Sequence, residues 1–432
     1  MIAFNMKKFF GILVLLFLIF IILIYASLNT TPKKIENSIL INIDTIDIID
    51  FKTYDSVYVE ATTQYKSNQL KRIMQGEHYR KAWSTPIKVP IVFLDTLFGG
   101  VTIVKEGGGN QTKSLKLLAD NNSYYTLRSI NKTPEALVPE FAKTLGLKNI
   151  VVDGISAQHT YGALVVARLA EKAGILHSFP KLVFLPKQSA LGSYSDKYGS
   201  RLFFLEYETE SKNNWTKYPN VIEIIDTKDL QELKMAHGAN LQIDRHPLVR
   251  ARLFDLIIGD WDRHPKQWGW VIQKENDTYK AIPLPVDRDN AFFNSEGVIP
   301  NLVLNRNVTP EAQAFDEDID YLPGLVQSFD VYFLQDIPES VFVEEAKSLQ
   351  KLLTDEKIDN AFKAWPDAIY DLDGEEISKK IKSRRNDLVD YAIRFKTILD
   401  KKPLLTEPLK GSEALELRNN LLACFGCNKT VK

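Results

Sequence analysis

The chain has 432 residues, with 54 Lys and Arg against 55 Asp and Glu, so its formal charge is −1. Hydrophobic residues make up 45% and aromatics 11%, which excludes a disordered chain and allows a large core or several domains. Charge so evenly balanced offers no global basic field, and no nucleic-acid partner is expected.

Lys7 and Lys8 precede 9-FFGILVLLFLIFIILIYASLNTTP-32, a run without a charged residue. About 20 such residues cross a hydrocarbon core at about 1.5 Å rise each. Residues 1–32 therefore read as a transmembrane segment, with 9–27 as the membrane partner. The positive-inside rule puts residue 1 in the cytoplasm and the bulk outside it, in a periplasm or at a cell surface. Two readings fit: an uncleaved signal anchor, which the length favours, or a cleavable signal peptide with Ala26 or Ser27 near the cut.

Residues 33–75 read as linker and short strands, since 40-LINIDTIDIIDF-51 and 57-VYVEAT-62 alternate apolar and polar residues. Two prolines in 76-GEHYRKAWSTPIKVPIVFLDT-96 predict an extended arm. Residues 99–132 predict an antiparallel meander whose first turn is Gly107, Gly108 and Gly109. A helix is expected around 160–175, from the spacing of Leu164, Val165, Leu169 and Ala173, with Gly174 to stop it. These parts make a strand-rich lobe over 76–180.

The second lobe, 181–403, opens with strands at 181–186 and 201–208 and becomes mainly helical. A helix over 248–258 ends in 259-GDWDRH-264. Asp373 and Glu376 suit a capping box for one helix over 373–403, with Ile377, Ile381, Leu388, Ala392, Phe395 and Leu399 as its apolar stripe. The basic run 379-KKIKSRR-385 reads as its solvated face. A tail, 404–432, holds the chain's two cysteines in 424-CFGC-427. With no second pair and no nearby histidine, a thiol pair or disulfide is expected rather than a zinc site. The fold class is α+β, with a cleft between the two lobes as the expected site.

Three consecutive glycines let backbone N–H groups approach an anion, and Gln111, Thr112 and Lys113 follow them. No GK[ST] opens a helix here, so this is not a Walker A loop. Arg128 lies one strand further on, placed to hold phosphates of a nucleotide. Asp262 follows the apolar run 252–258, and His264 and Gln267 are within reach of the same pocket. Asp287 ends a strand in 282-IPLPVDRDNAFF-293, and Asp289 competes with it. One aspartate to take a hydroxyl proton and another to hold Mg²⁺, with the Gln267 amide as a further ligand, is a minimum set for phosphoryl transfer. Each residue alone has a plainer reading, as a turn, an exposed strand arginine or a helix cap. Their conjunction in this order is harder to reach by chance.

The run DLIIGDWDRHPKQWGW followed by PVDRDNAFF resembles the catalytic region of the HipA-like and phosphoinositide-kinase-like branch of the protein-kinase superfamily. GGGNQTKSLKL, YYTLRSINK and GISAQHTYGALVVARLAEKAGI also look like a kinase-like domain of exported bacterial proteins, sometimes joined to calcineurin-like phosphoesterases. The likeness covers roughly residues 75–400. It implies a two-lobed kinase-like fold, ATP or another nucleotide as cofactor, and an unknown hydroxyl-bearing substrate or envelope partner. It implies Asp262 as base, Asp287 as the main metal residue, Gln267 where asparagine is usual and Arg128 where lysine is usual. The 160–173 helix offers no inward glutamate for Arg128, so Asp153 is the expected substitute. ATP is scarce outside the cytoplasm: either the orientation is reversed, the donor is not ATP, or the fold serves binding alone.

Overall fold

In the computed structural model the described residues are 6–28, 39–40, 49–109 and 112–427. Three sheets organise them. Strands β1 (Ile39–Leu40), β2 (Ser56–Glu60) and β3 (Ile87–Pro90) form a small antiparallel sheet. The expected extended arm over 76–96 is interrupted: Arg80–Trp83 is a turn of helix, and only the following residues are extended. Trp83 and Tyr79 are buried there, so packing decides the local conformation. Of 40–51, residues 41–48 lie outside the described part.

The second sheet holds β4 (Val101–Gly107), β5 (Ser114–Ala119), β6 (Tyr124–Ser129), β7 (Lys181–Leu185) and β8 (Arg201–Tyr207), in the order β4-β5-β6-β8-β7. The meander expected over 99–132 is its first half. The sheet runs past residue 180, where the lobe boundary was expected, because β8 pairs directly with β6. Period-two burial gives it two distinct faces. Leu115, Leu117, Leu127, Phe203 and Leu205 pack into a core on one side. On the other, Ser114 pairs with Arg128, Lys116 with Thr126, and Thr126 with Glu206.

The third sheet has β9 (Val221–Asp226), β10 (Leu241–Ile243), β11 (Trp268–Glu275) and β12 (Thr278–Pro285), ordered β10-β12-β11-β9. Beneath it runs the Arg245–Ile258 helix, whose residues Leu248, Leu253, Phe254 and Ile257 are fully buried. Gly259 stops it at φ +67°, where any Cβ would lie 2.4 Å from the Phe315 ring. Trp268 stacks on Phe329 at 4.4 Å and carries the core to the C-terminal helices.

The expected 160–175 helix is Gly162–Lys172, with Gly174 at φ +66°. The expected single helix over 373–403 is two, Glu375–Asn386 and Leu388–Asp400. Its capping box is absent, because Asp373 lies inside a π-helical turn, Tyr370–Gly374, that runs straight into the first of them. The apolar stripe is nonetheless buried across the break. The basic run is not a solvated face throughout. Arg384 is buried over the Phe315 ring and donates to the Leu256 carbonyl, and Arg385 donates to that of Leu353. Cys424 and Cys427 form a disulfide, and Phe425 beside them packs on Tyr332 and Phe333.

The N-terminal helix, Met6–Leu28, is long and apolar enough to cross a membrane, with a mean hydropathy of 3.2.

Candidate functional site

The helix that Gly259 stops is followed by a loop that buries Asp260 and Arg263 and leaves Asp262 and His264 partly exposed. Arg263 is fully buried: its guanidinium reaches Asp255 at 3.1 Å and donates to the carbonyls of Val286 (2.9 Å) and Gln267 (3.0 Å). It also lies 4.8 Å over the Trp268 ring. Asp255 in turn takes Arg288 at 2.9 Å. Asp260 is buried beside them, and burial, with Asp255 and Asp262 near, pushes its carboxyl up to about 8 against the pull of Arg263. These four residues weld the loop to β12 and the helix.

Asp262 and His264 face the other way and keep about a third and a fifth of their side chains exposed, with 3.7 Å between Asp262 Oδ1 and His264 Nε2. The Lys266 backbone N–H donates to His264 Nδ1 at 3.2 Å, so a neutral ring carries its proton on Nε2, towards Asp262. Burial lowers the His264 pKa, which favours that neutral form. Asn290 donates to Asp262 Oδ2 at 3.5 Å.

After β12 the chain turns sharply, with Asp287 at φ +50°. Arg128, projecting from β6, donates to Glu206 at 2.7 Å and to Asp287 at 3.0 Å, and it pairs with Asp289 more closely still. Lys132 adds a second cation on Asp289 at 3.0 Å. Burial alone would raise the Asp289 pKa, but Arg128 and Lys132 hold it well below the usual carboxylate range. The three acids together raise the pKa of Arg128 despite its burial.

A cavity of about 380 Å³ lies on the polar face of the second sheet. Its wall includes Gly107, Gly108, Gly109 and Thr112 from the β4–β5 turn, Arg128 from β6, and Gln267 and Asp287 from the two loops. Charged residues of both signs also line it, Glu206, Glu208 and Glu210 against Lys105, Lys116 and Lys266. Asp262, His264 and Asp289 are not among its lining residues. Asp262 is linked to Asp289 by a short polar chain: Asn290 contacts Asp262, Gln158 donates to Asn290 at 2.7 Å, Lys132 donates to Gln158 at 2.7 Å, and Lys132 pairs with Asp289. Gln111 lies outside the described residues.

Asp153 is not the partner of Arg128. It is buried against Lys71 at 2.7 Å and Arg80 at 2.8 Å. The role expected of it falls to Glu206, two strands of sequence later. Lys132, Gln158, Asn290 and Glu206 were missed. Glu206 gave no signal in the sequence, because only the pairing of β8 with β6 sets it across from Thr126, next to Arg128 on the same face.

An acid pair with an amide is a hard-cation donor set in kind. Here the two carboxylates converge on one guanidinium nitrogen of Arg128, with Lys132 a second cation on Asp289. Among the described residues no group of three or more His, Cys, Asp or Glu is disposed to hold a metal ion. In this arrangement Arg128 holds both acids of the expected Mg²⁺ set, Asp287, Gln267 and Asp289, and that clamp closes them to a metal ion. A larger cavity, about 540 Å³, lies on the other side of the same sheet among Tyr125, Phe179, Tyr207 and Trp215, and no expected site residue lines it.

No family model matches the chain, and no curated protein does. Among solved structures, a Helicobacter pylori proinflammatory kinase, CtkA, aligns at 13% identity with a TM-score of 0.36, over 69% of this chain and 95% of that one.

Proposed function

We propose that the chain is a membrane-anchored, kinase-like phosphotransferase with a nucleotide in the 380 Å³ cavity. One observation carries this reading: a glycine turn, a strand arginine, the Gln267 loop and the Asp287 turn, drawn from separate segments, line one cavity. Its size falls within the usual range for a small-molecule site, about 300–1,000 Å³. The second sheet and its flanking helix would be the smaller lobe, residues 208–220 the connection, and the third sheet with the C-terminal helices the larger lobe. This is the two-lobed plan of the HipA-like and phosphoinositide-kinase-like branch.

In that plan the backbone N–H groups of Gly107–Gly109 and the Arg128 guanidinium face the phosphates. Asp262 takes the proton of an acceptor hydroxyl as its oxygen bonds to the terminal phosphorus and the nucleoside diphosphate leaves. His264 and Asn290 orient Asp262. Arg128 and Lys132 supply the positive charge near the phosphates. The alternative is a nucleotide- or ligand-binding module without turnover at the cell envelope. The Arg128 clamp on Asp287 and Asp289 favours it, because those acids are then closed to a metal ion.

The full chain in lipid nanodiscs is tested with radiolabelled ATP, with and without Mg²⁺, for transfer to itself or to a model hydroxyl acceptor. Transfer that disappears in Asp262→Ala supports the phosphotransferase. Thermal stabilisation by nucleotide without transfer supports the binding module. No stabilisation by any nucleotide overturns the phosphotransferase and leaves only a module for some other ligand.

A further inference from the structure

The Met6–Leu28 helix is not a free stalk. Residues 6–19 stand clear of the folded part, whereas Phe20, Ile21, Leu23 and Ile24 are half-buried and Ser27 and Leu28 buried. The helix packs on Gln69–Gln75. Gln75 donates to Ser27 Oγ at 2.9 Å, and the Tyr25 hydroxyl donates to the Leu145 carbonyl at 2.9 Å.

This docking sets a depth. The apolar run starts at Phe9, after Lys7 and Lys8, and the stretch from Phe9 to Ile19 rises only about 16 Å. A hydrocarbon core is about 30 Å thick. The remaining half must be crossed by turns that already touch the folded part.

The surface at that place is apolar. Ile73 on the Gln69–Gln75 helix is 56% exposed, and Phe141 and Leu145, next to the Tyr25 contact, are 67% and 52% exposed. The Val298–Val303 helix packs on Gln69–Gln75 from another side and exposes Leu302 (58%) and Val303 (50%). Side chains of this kind in water would be a cost without a return, and their helices pack on or beside the Gln69–Gln75 helix that holds the foot of Met6–Leu28.

We infer that this face is a second membrane contact: it sits in the leaflet at the helix's C-terminal end, with Ile73, Phe141, Leu145, Leu302 and Val303 among lipid. The occupant is the bilayer, because the face is continuous with the helix that enters it. The inference rests on the membrane-spanning reading of Met6–Leu28.

The test uses the full chain in phosphatidylcholine vesicles. Flotation with the vesicles comes first, and failure to float overturns the spanning reading and this one with it. Single cysteines are then placed at Phe141, Leu302 and, as a water-exposed control, Asp277 on the β11–β12 turn. The native cysteines are joined to each other, so a nitroxide reports only the new sites. Collision with oxygen should exceed collision with a nickel chelate several-fold at Phe141→Cys and Leu302→Cys, and the order should reverse at Asp277→Cys. A chain that floats while the nickel chelate reaches all three sites equally overturns the inference alone. Protection of Phe141→Cys and Leu302→Cys from both reagents also overturns it, in favour of a second copy of the chain on this face.

Discussion

Arg128 and Asp289, 161 residues apart in the chain, close on each other as a mostly buried ion pair at the edge of the 380 Å³ cavity. Asp287 accepts from the same guanidinium nitrogen at 3.0 Å, so one arginine stands where two carboxylates would otherwise meet a metal ion. Removing it should therefore change metal binding in the direction opposite to nucleotide binding. In Arg128→Gln, Mg²⁺ or Mn²⁺ binding by calorimetry should tighten at least tenfold over the wild type, or about 1.4 kcal/mol. Under the phosphotransferase reading nucleotide affinity should fall, because Arg128 would be a phosphate ligand. Equal metal affinity in both proteins would show that Arg128 does not occupy the metal position.

The same pair makes stability depend on pH. Asp289 is held below its usual pKa, so its contribution is present in full above the unfolded value of about 3.9 and is lost as the pH falls towards the folded value. Asp289→Asn should cost about 2–3 kcal/mol near neutral pH, somewhat below a fully buried pair because Arg128 keeps Glu206 and Asp287. The gap between variant and wild type should narrow only below about pH 4. Denaturation curves across pH check it, and a constant gap down to about pH 2 would count against the assigned ion pair.

The loop 259-GDWDRH-264 buries Asp260 and Arg263 and leaves Asp262 and His264 partly exposed, and substitutions should separate the two sets. Arg263 is fully buried and holds Asp255 and two carbonyls, so Arg263→Ala should destabilise by about 3–5 kcal/mol. Asp262 is partly exposed with one long hydrogen bond from Asn290, so Asp262→Ala should cost less than about 1 kcal/mol. Loss of transfer in a stable Asp262→Ala protein would mark Asp262 as a residue of function. A large stability loss there would return the whole loop to a structural role.

Much of this was legible in the sequence, and the exceptions share a cause. The β4–β5–β6 meander, the Gly162–Lys172 helix and the buried stripe of the C-terminal helices follow from local period and glycine placement. The glycine turn, Arg128, Gln267 and Asp287 line one cavity, whereas Asp262, His264 and Asp289, expected in the same pocket, do not line it. Partner choice was not legible, because it depends on register between distant strands. Asp153 looked like the mate of Arg128 but is consumed by Lys71 and Arg80, and Glu206 takes its place only once β8 pairs with β6. Asp260 and Arg263 could not be told from Asp262 by composition. Only the turn after Gly259 decides which side of the loop each faces.

The glycine turn offers a test within two adjacent residues. Gly108 sits at φ +112°, and a Cβ there would lie 2.1 Å from the Thr112 carbonyl oxygen, a distance that backbone must move to relieve. At Gly109 a Cβ would meet nothing within 4 Å. Both line the cavity, but only Gly108→Ala reshapes the backbone whose N–H groups would face phosphates in the phosphotransferase reading. Gly108→Ala should weaken nucleotide binding by tenfold or more, about 1.4 kcal/mol, as read by calorimetry on the full chain. Gly109→Ala should change it by less than about threefold, well under 1 kcal/mol. If both variants bind as the wild type does, the three glycines serve only to turn the chain between β4 and β5, and the phosphate contact has to be sought at Arg128 and Lys132.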